Sequence, residues 1–261
     1  MTISNTSRGA ARPGLRAWRL LIVAELKMVL RDTAGLLLPL GLPLLILVMN
    51  GLGDGVQTVV EGTGGRTIFD LYVMPLTFAI IIASIGVINM PSFLTYYRRA
   101  GILQRLAVTP ASPSMVLIAQ VAVSVLQALV GIGLALGVAI LAFGIRPPVQ
   151  LWAAIGAVAL AAAAMYSIGM LIAALAPTPN SAIAIGLVLF FGMGATGGMF
   201  GPATMLPELL ATVGEFMPFG AAIAAISGPW GGGAFELQPV LVLTAWILVC
   251  NLVAARWFRW T

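Results

Sequence analysis

Six stretches of this chain, residues 34–52, 71–94, 115–143, 151–176, 181–200 and 237–255, run without one charged side chain. A helix rising about 1.5 Å per residue crosses the hydrocarbon layer in roughly 20 residues. Lipid gives the backbone nothing to hydrogen-bond, so each stretch is expected to be a transmembrane helix. Strands of a membrane barrel would alternate polar and apolar residues over short segments, and no such alternation occurs. Of the 261 residues 61% are hydrophobic and only 8% are charged. Soluble domains are about a quarter charged, so a water-soluble fold is excluded. The first apolar run starts beyond residue 30 with no small-residue cleavage site, so no cleavable signal peptide is expected. The expected fold is an all-α polytopic membrane protein. A cytoplasmic N-terminus (1–33) precedes one six-span domain (34–261).

The basic residues orient the spans. With the N-terminus inside, Arg8, Arg12, Arg16, Arg19, Lys27 and Arg31 precede span one. Arg98, Arg99 and Arg105 follow span two, and Arg256 and Arg259 close the chain on the same side. Only Arg66 and Arg146 fall outside. That asymmetry places both termini in the cytoplasm. The net charge of +5 therefore belongs beside membrane spans and does not call for nucleic acid. Twelve of the 13 basic residues are arginine, and with abundant Ala and Gly this points to a GC-rich bacterial source, hence a bacterial plasma membrane.

Before span one, Leu15–Arg31 has the pattern of an amphipathic interfacial helix. At 100° per residue Arg12, Arg16, Arg19, Lys27 and Arg31 share an arc of about 120°. Leu15, Leu21, Ile22, Leu26 and Val29 fill much of the remainder. Such a helix lies along the membrane surface with its basic edge towards headgroups or a partner. Glu25 sits opposite the basic stripe. Two readings stay open: a membrane anchor alone, or an anchor whose Glu25 or neighbours also touch a cytoplasmic subunit.

The loop 95–113 combines Arg98, Arg99 and Arg105 with Ile102, Leu103 and Leu106, a short helix with one apolar face. Thr109-Pro110 and Ser112-Pro113 close it. Residues 201–236 join spans five and six; they are mostly apolar, yet Pro202, Pro207, Pro218 and Pro229 forbid one continuous helix. Two short helices dipping into the outer leaflet as a re-entrant hairpin account for both facts, with Glu208 and Glu215 at its edge.

These segments resemble type-2 ABC exporter permeases, close to the drug-resistance and lipid or glycolipid exporters. Gly101-Ile102-Leu103-Gln104-Arg105-Leu106 and Thr109-Pro110 match the spacing of that family's cytoplasmic coupling loop. Leu30-Arg31-Asp32, Pro39 and Pro43 at span one agree with it, as do the Gly-rich end of span five and the proline-containing hairpin. Arg98, Arg99 and Gln104 stand where the family commonly has acids, so no acidic contact is carried over. The resemblance implies a transport subunit that is not itself catalytic. It further implies cytoplasmic ABC ATPase partners that bind ATP and Mg, and a second permease, alike or related. ATPase coupling would fall to Arg98, Arg99, Gly101, Leu103, Arg105, Leu106, Thr109 and Pro110.

The chemistry available is narrow. No histidine is present and Cys250 is the only cysteine, so His-based metal sites, Ser-His triads and intrachain disulfides are excluded. Lys27, the only lysine, lies in Glu25-Leu26-Lys27-Met28 and not in a phosphate-cradling Gly-x-x-x-x-Gly-Lys motif. If ATP drives transport, another chain must supply the ATPase. The spans hold no ionisable interior residue, which argues against proton or sodium coupling. A lipid-modifying enzyme or an ion-coupled carrier is the alternative. Asn50, Asn89, Phe190, Phe191, Met193, Met199 and Phe200 are candidates for a soft substrate path, Met and aromatic side chains adapting to varied shapes. Helix packing and lipid contact explain the same residues equally simply.

Overall fold

The computed structural model describes residues 14–102, 113–201, 205–234 and 236–257. Among these residues nine helices and one isolated antiparallel bridge, Val59 with Thr67, make up the regular structure. They are α1 (Leu15–Arg31), α2 (Thr33–Gly51), α3 (Phe69–Arg99), α4 (Pro113–Phe143) and α5 (Leu151–Leu175), followed by α6 (Pro179–Thr196), α7 (Glu208–Phe216), α8 (Pro218–Gly231) and α9 (Leu237–Trp257). The protein is an all-α polytopic membrane protein. Each expected span falls on one helix. Five helices are individually long and apolar enough to cross a membrane, and two bent pairs, α1 with α2 and α7 with α8, raise the limit to seven.

Span two is the axis of the bundle. α3 is buried along most of its length, and α2, α4, α5, α6 and α8 all pack on it. Two stretches of α3, Phe69–Val73 and Ser84–Asn89, are π-helical. A π-turn closes its hydrogen bond one residue later than an α-turn and widens the backbone locally. At the second stretch the neighbours meet the widened turn with glycine. A Cβ on Gly169 of α5 would stand 2.0 Å from the Gly86 carbonyl oxygen. One on Gly186 of α6 would stand 2.5 Å from that of Val87. No side chain of any kind fits either crossing. Gly131 in α4 abuts Leu40 and Ile81, while Gly133, Gly137 and Gly192 face open space. The glycines of spans three and five therefore serve close packing only at some positions.

The helix pair where a hairpin was expected is built asymmetrically. α7 leaves Leu209, Val213 and Phe216 exposed, whereas α8 buries Phe219, Ala222, Ile226 and Trp230 against α3, α5 and α9. The chain bends by 78° between them. Pro207 caps α7 and Pro218 opens α8, positions where a missing N–H costs nothing. Pro229 lies inside the last turn of α8, two residues before its end. Pro202 lies outside the described residues. At the turn, a Cβ on Gly214 would stand 2.0 Å from the Thr196 carbonyl oxygen and one on Gly220 2.2 Å from that of Gly214. Backbone on backbone thus docks the hairpin against the end of α6.

Replacing Gly169 by Ala forces the α3–α5 crossing apart and should cost on the order of 1–3 kcal/mol. In detergent, Gly169→Ala should melt well below the wild type, while Gly133→Ala should melt at or above it. Equal melting of the two variants would contradict the packing described.

Candidate coupling and transport site

The end of the bundle that carries α1 is held together by polar contacts in an otherwise apolar setting. Glu25, opposite the basic stripe of α1, is buried, and the Tyr97 hydroxyl of α3 donates a hydrogen bond to its carboxylate. The same hydroxyl lies 3.3 Å from the Met28 sulfur. Around this pair Tyr97, Val116, Leu21, Met28 and Ile102 pack together, joining α1, the end of α3 and the start of α4. The Glu25 carboxylate points into its own bundle, so the reading in which α1 also touches a cytoplasmic subunit falls to its neighbours. Arg19, Lys27 and Arg31 remain exposed on α1. Arg16 lies within α1, its side chain outside what is described.

Arg98 and Arg99 diverge. The Arg98 guanidinium donates to the Ala173 carbonyl at 3.1 Å and to that of Ala176, closing the end of α5 where bare carbonyls and the helix dipole favour a cation. It is occupied within the fold and is not a free docking charge. Arg99 is exposed. Gly101 adopts φ +68° and stops α3 there, a left-handed cap that glycine takes without strain. The remaining expected coupling residues, Leu103, Arg105, Leu106, Thr109 and Pro110, lie outside the described residues.

A polar knot fixes the elbow between α1 and α2. Asp32 accepts from the Gly35 amide at 3.0 Å and so caps α2. The Gly35 carbonyl accepts from Asn89 and from Gln127, each at 2.9 Å, and Asn89 also donates to the Gln127 side chain at 3.2 Å. The knot ties α2, the second π-turn of α3 and α4 at one point. Asn89, expected beside a substrate path, is buried, and its amide nitrogen is engaged in this knot. Asn50 lies partly open on α2, its amide donating to the Ile46 carbonyl at 2.8 Å.

The aromatic candidates divide by exposure. Phe190, Met193 and Met199 are buried in the core, and Phe190 meets Phe219 of the hairpin edge-on with ring centroids 6.4 Å apart. Phe191 and Phe200 are 45% and 71% exposed and stack at 6.4 Å. They continue an apolar face of α6 that includes Ile183, Leu187 and Val188. α2 presents Leu37, Leu38, Leu45 and Met49 in the same way. Both helices pack their other sides on α3, which leaves a bare apolar wall flanking the axis.

At the opposite end, Arg66 donates to the Arg146 carbonyl at 3.0 Å and Arg146 donates to the Gly64 carbonyl at 3.1 Å. Buried Asp70 accepts from the Arg146 amide at 3.3 Å and from the Thr67 amide at 3.1 Å. The Tyr72 hydroxyl donates to the Gly198 carbonyl, fastening the outer part of α3 to the chain that follows α6. Trp246 of α9 donates to the Phe216 carbonyl at 3.0 Å where the hairpin turns. Glu208 and Glu215 of α7 stay exposed.

The family model described as ABC-2 type transporter matches residues 16–228, from α1 into α8. The chain belongs to the ABC-2 type transporter family. It is therefore a multi-pass permease component of an ABC transporter, a transport subunit from a family that works with ABC ATPase subunits. No curated protein matches the chain. In this ABC-2 permease Tyr97, Tyr72, Gly86 and Gly169 carry contacts that sequence reasoning missed. The one available signal was Tyr97, a hydroxyl at the end of an apolar span, with a lone acid on the apolar side of α1.

Burial raises the Glu25 carboxyl above its ordinary value of 4.5, the Tyr97 hydrogen bond opposing the shift in part. The fold thus favours the protonated acid. Its contribution is complete below 4.5 and is lost as pH rises through the raised value. Glu25→Gln, which mimics the neutral acid, should melt near the wild type at low pH and increasingly above it as pH rises. A gap independent of pH would contradict this.

Proposed function

We propose that this permease moves a hydrophobic or amphipathic substrate, a drug, lipid or glycolipid, out of the cell, driven by separate ATPase subunits that bind ATP and Mg. The observation that carries the reading is the bare apolar wall of α2 and α6 in an ABC-2 permease whose own sequence holds no phosphate-binding loop. A second permease, alike or related, completes the path by facing this wall. The basic end of the bundle faces the cytoplasm of a bacterial cell, with both termini there, as the basic asymmetry requires. Residues 1–33 form the cytoplasmic approach and 34–261 the permease domain.

In this reading the ATPases push on the platform formed by α1 and loop 95–113. Glu25–Tyr97 and the Arg98 clamp pass the push to α3 and α5. Packed interiors transmit displacement instead of absorbing it. α3 delivers it to the far end, where Tyr72 holds the chain entering the hairpin. The hairpin acts as the lid, and Phe191, Phe200 and the open faces of α2 and α6 line the path. Buried Phe190, Met193 and Met199 back that lining.

Proteoliposomes holding the permease and its ATPase should export an amphipathic dye with ATP and not without it. ATP-independent pumping by the permease alone would refute the proposal. Leu103→Asp or Leu106→Asp should reduce recovery of the ATPase with the permease, because a charge on an apolar docking face must be desolvated. Unchanged recovery and unchanged transport would remove the loop from the coupling role.

A further inference from the structure

A second buried polar group shares the level of Glu25. α1 packs on α4, and two apolar clusters fix their register. Val116 of α4 sits with Leu21 and Met28 of α1 and with Tyr97 of α3. Val123 sits with Ile22, Leu26 and Val29 of α1 and with Phe93 of α3. Gln120 lies between those two valines on one face of α4, as Glu25 lies between the two sets on α1. Gln120 is 2% exposed and Glu25 5%. Gln120 Oε1 is buried with no donor on it, and Glu25 accepts from the Tyr97 hydroxyl. Two oxygens that both accept can meet only around a proton. No described charge neutralises Glu25 instead. Arg19, Lys27 and Arg31 of α1 and Arg99 of α3 are exposed, and the end of α5 holds Arg98. α2 and α4 carry no titratable side chain, the Gly35 amide engages Asp32, and Tyr96 is half-exposed. Arg105 and the side chain of Arg16 lie outside what is described.

We infer that Glu25, Gln120 and Tyr97 form a proton-binding site that latches α1 to the bundle. The protonated Glu25 carboxyl donates to Gln120 Oε1 and accepts from the Tyr97 hydroxyl, so the orphaned amide oxygen gains its donor. Loss of the proton leaves two acceptors facing each other and a buried charge with one donor, and α1 swings out to hydrate it. A hard metal cation takes roughly six oxygens, whereas leucine, valine and methionine side chains close the rest of this layer. The proton is therefore the occupant. Burial already holds the carboxyl above its ordinary value, which moves its release towards neutral pH. In the export reading given above, the latch makes engagement of the α1 platform depend on acidity at the basic end. That consequence rests on the reading; the site itself does not.

The test reads the latch alone, with no ATPase and no substrate, so its failure is separable from failure of transport. Amide hydrogen exchange of α1 is followed by mass spectrometry in the full chain, held in phosphatidylcholine nanodiscs, from about pH 5 to 8. Each rate is divided by that of Glu25→Gln at the same pH, which cancels the chemical pH dependence of exchange. The Gln amide donates to Gln120 as the protonated acid does, at every pH. One proton held more tightly in the latched state makes this ratio climb above 4.5 by up to about tenfold per pH unit, levelling off beyond the raised value. The same ratio for α9 should stay near one. Gln120→Leu distinguishes a bonded amide from an orphan. Loss of the bond should speed α1 exchange about fivefold over the wild type at the acid end, an excess that shrinks as pH rises. A flat α1 ratio, a climb shared by α9, or unchanged or slower exchange in Gln120→Leu at the acid end would each overturn the inference. A climb suppressed by sodium at fixed pH would overturn it too, since the occupant would then be a metal cation.

Discussion

Hydrocarbon supplies no hydrogen-bond partner, so every polar group taken into this bundle must be met by the chain itself. That requirement explains why the buried polar atoms gather at a few points. Thr77, Ser84, Thr95 and Ser167 donate to carbonyls one turn back in their own helices. Asn89 and Gln127 converge on one carbonyl of α2, and Arg98 takes two at the end of α5. Among the described residues only Gln120 Oε1 and Trp230 Nε1 are buried without a partner. The Gly86 and Val87 carbonyls in the π-turn of α3 lie against the neighbouring helices. Glycines at 169 and 186 let neighbouring helices press directly on that turn, which excludes lipid from it.

The consequence is a bundle with a stiff axis and a soft side. α3 is surrounded, and each of its ends is tied by a tyrosine hydroxyl: Tyr97 to α1 and Tyr72 to the segment leading into the hairpin. α2 and α6 are packed on one side only. A load applied at α1 has a continuous path along α3, while the faces able to meet another molecule stay free. The elbow at Asp32 belongs to both parts, since it ends α1 and caps α2.

The sequence made the spans legible because a helix in lipid must be apolar over a fixed length, and α1 was legible because its charges repeat at helical spacing. The observed bounds of α1, Leu15–Arg31, match that periodicity. The break between α7 and α8 was legible from prolines, Pro207 capping α7 and Pro218 opening α8. The site was less legible. An arginine such as Arg98 looks the same in sequence whether it docks a partner or closes a neighbouring helix. Phe190 and Phe191 are adjacent and identical, yet one is core and the other wall; only the rotation of α6 against α3 separates them. The Gly86–Gly169 crossing depends on a π-turn, which no hydrophobic period announces.

The central claim is that α3 carries motion from the basic end to the hairpin. The most direct measurement is substrate exported per ATP hydrolysed by the reconstituted permease–ATPase complex carrying Tyr97→Phe or Tyr72→Phe. Each change removes one hydroxyl at one end of α3. The account predicts that hydrolysis continues in both while export per ATP falls in both, although the two sites lie at opposite ends of the helix. Full export per ATP in either variant, at wild-type levels of folded protein, would contradict it.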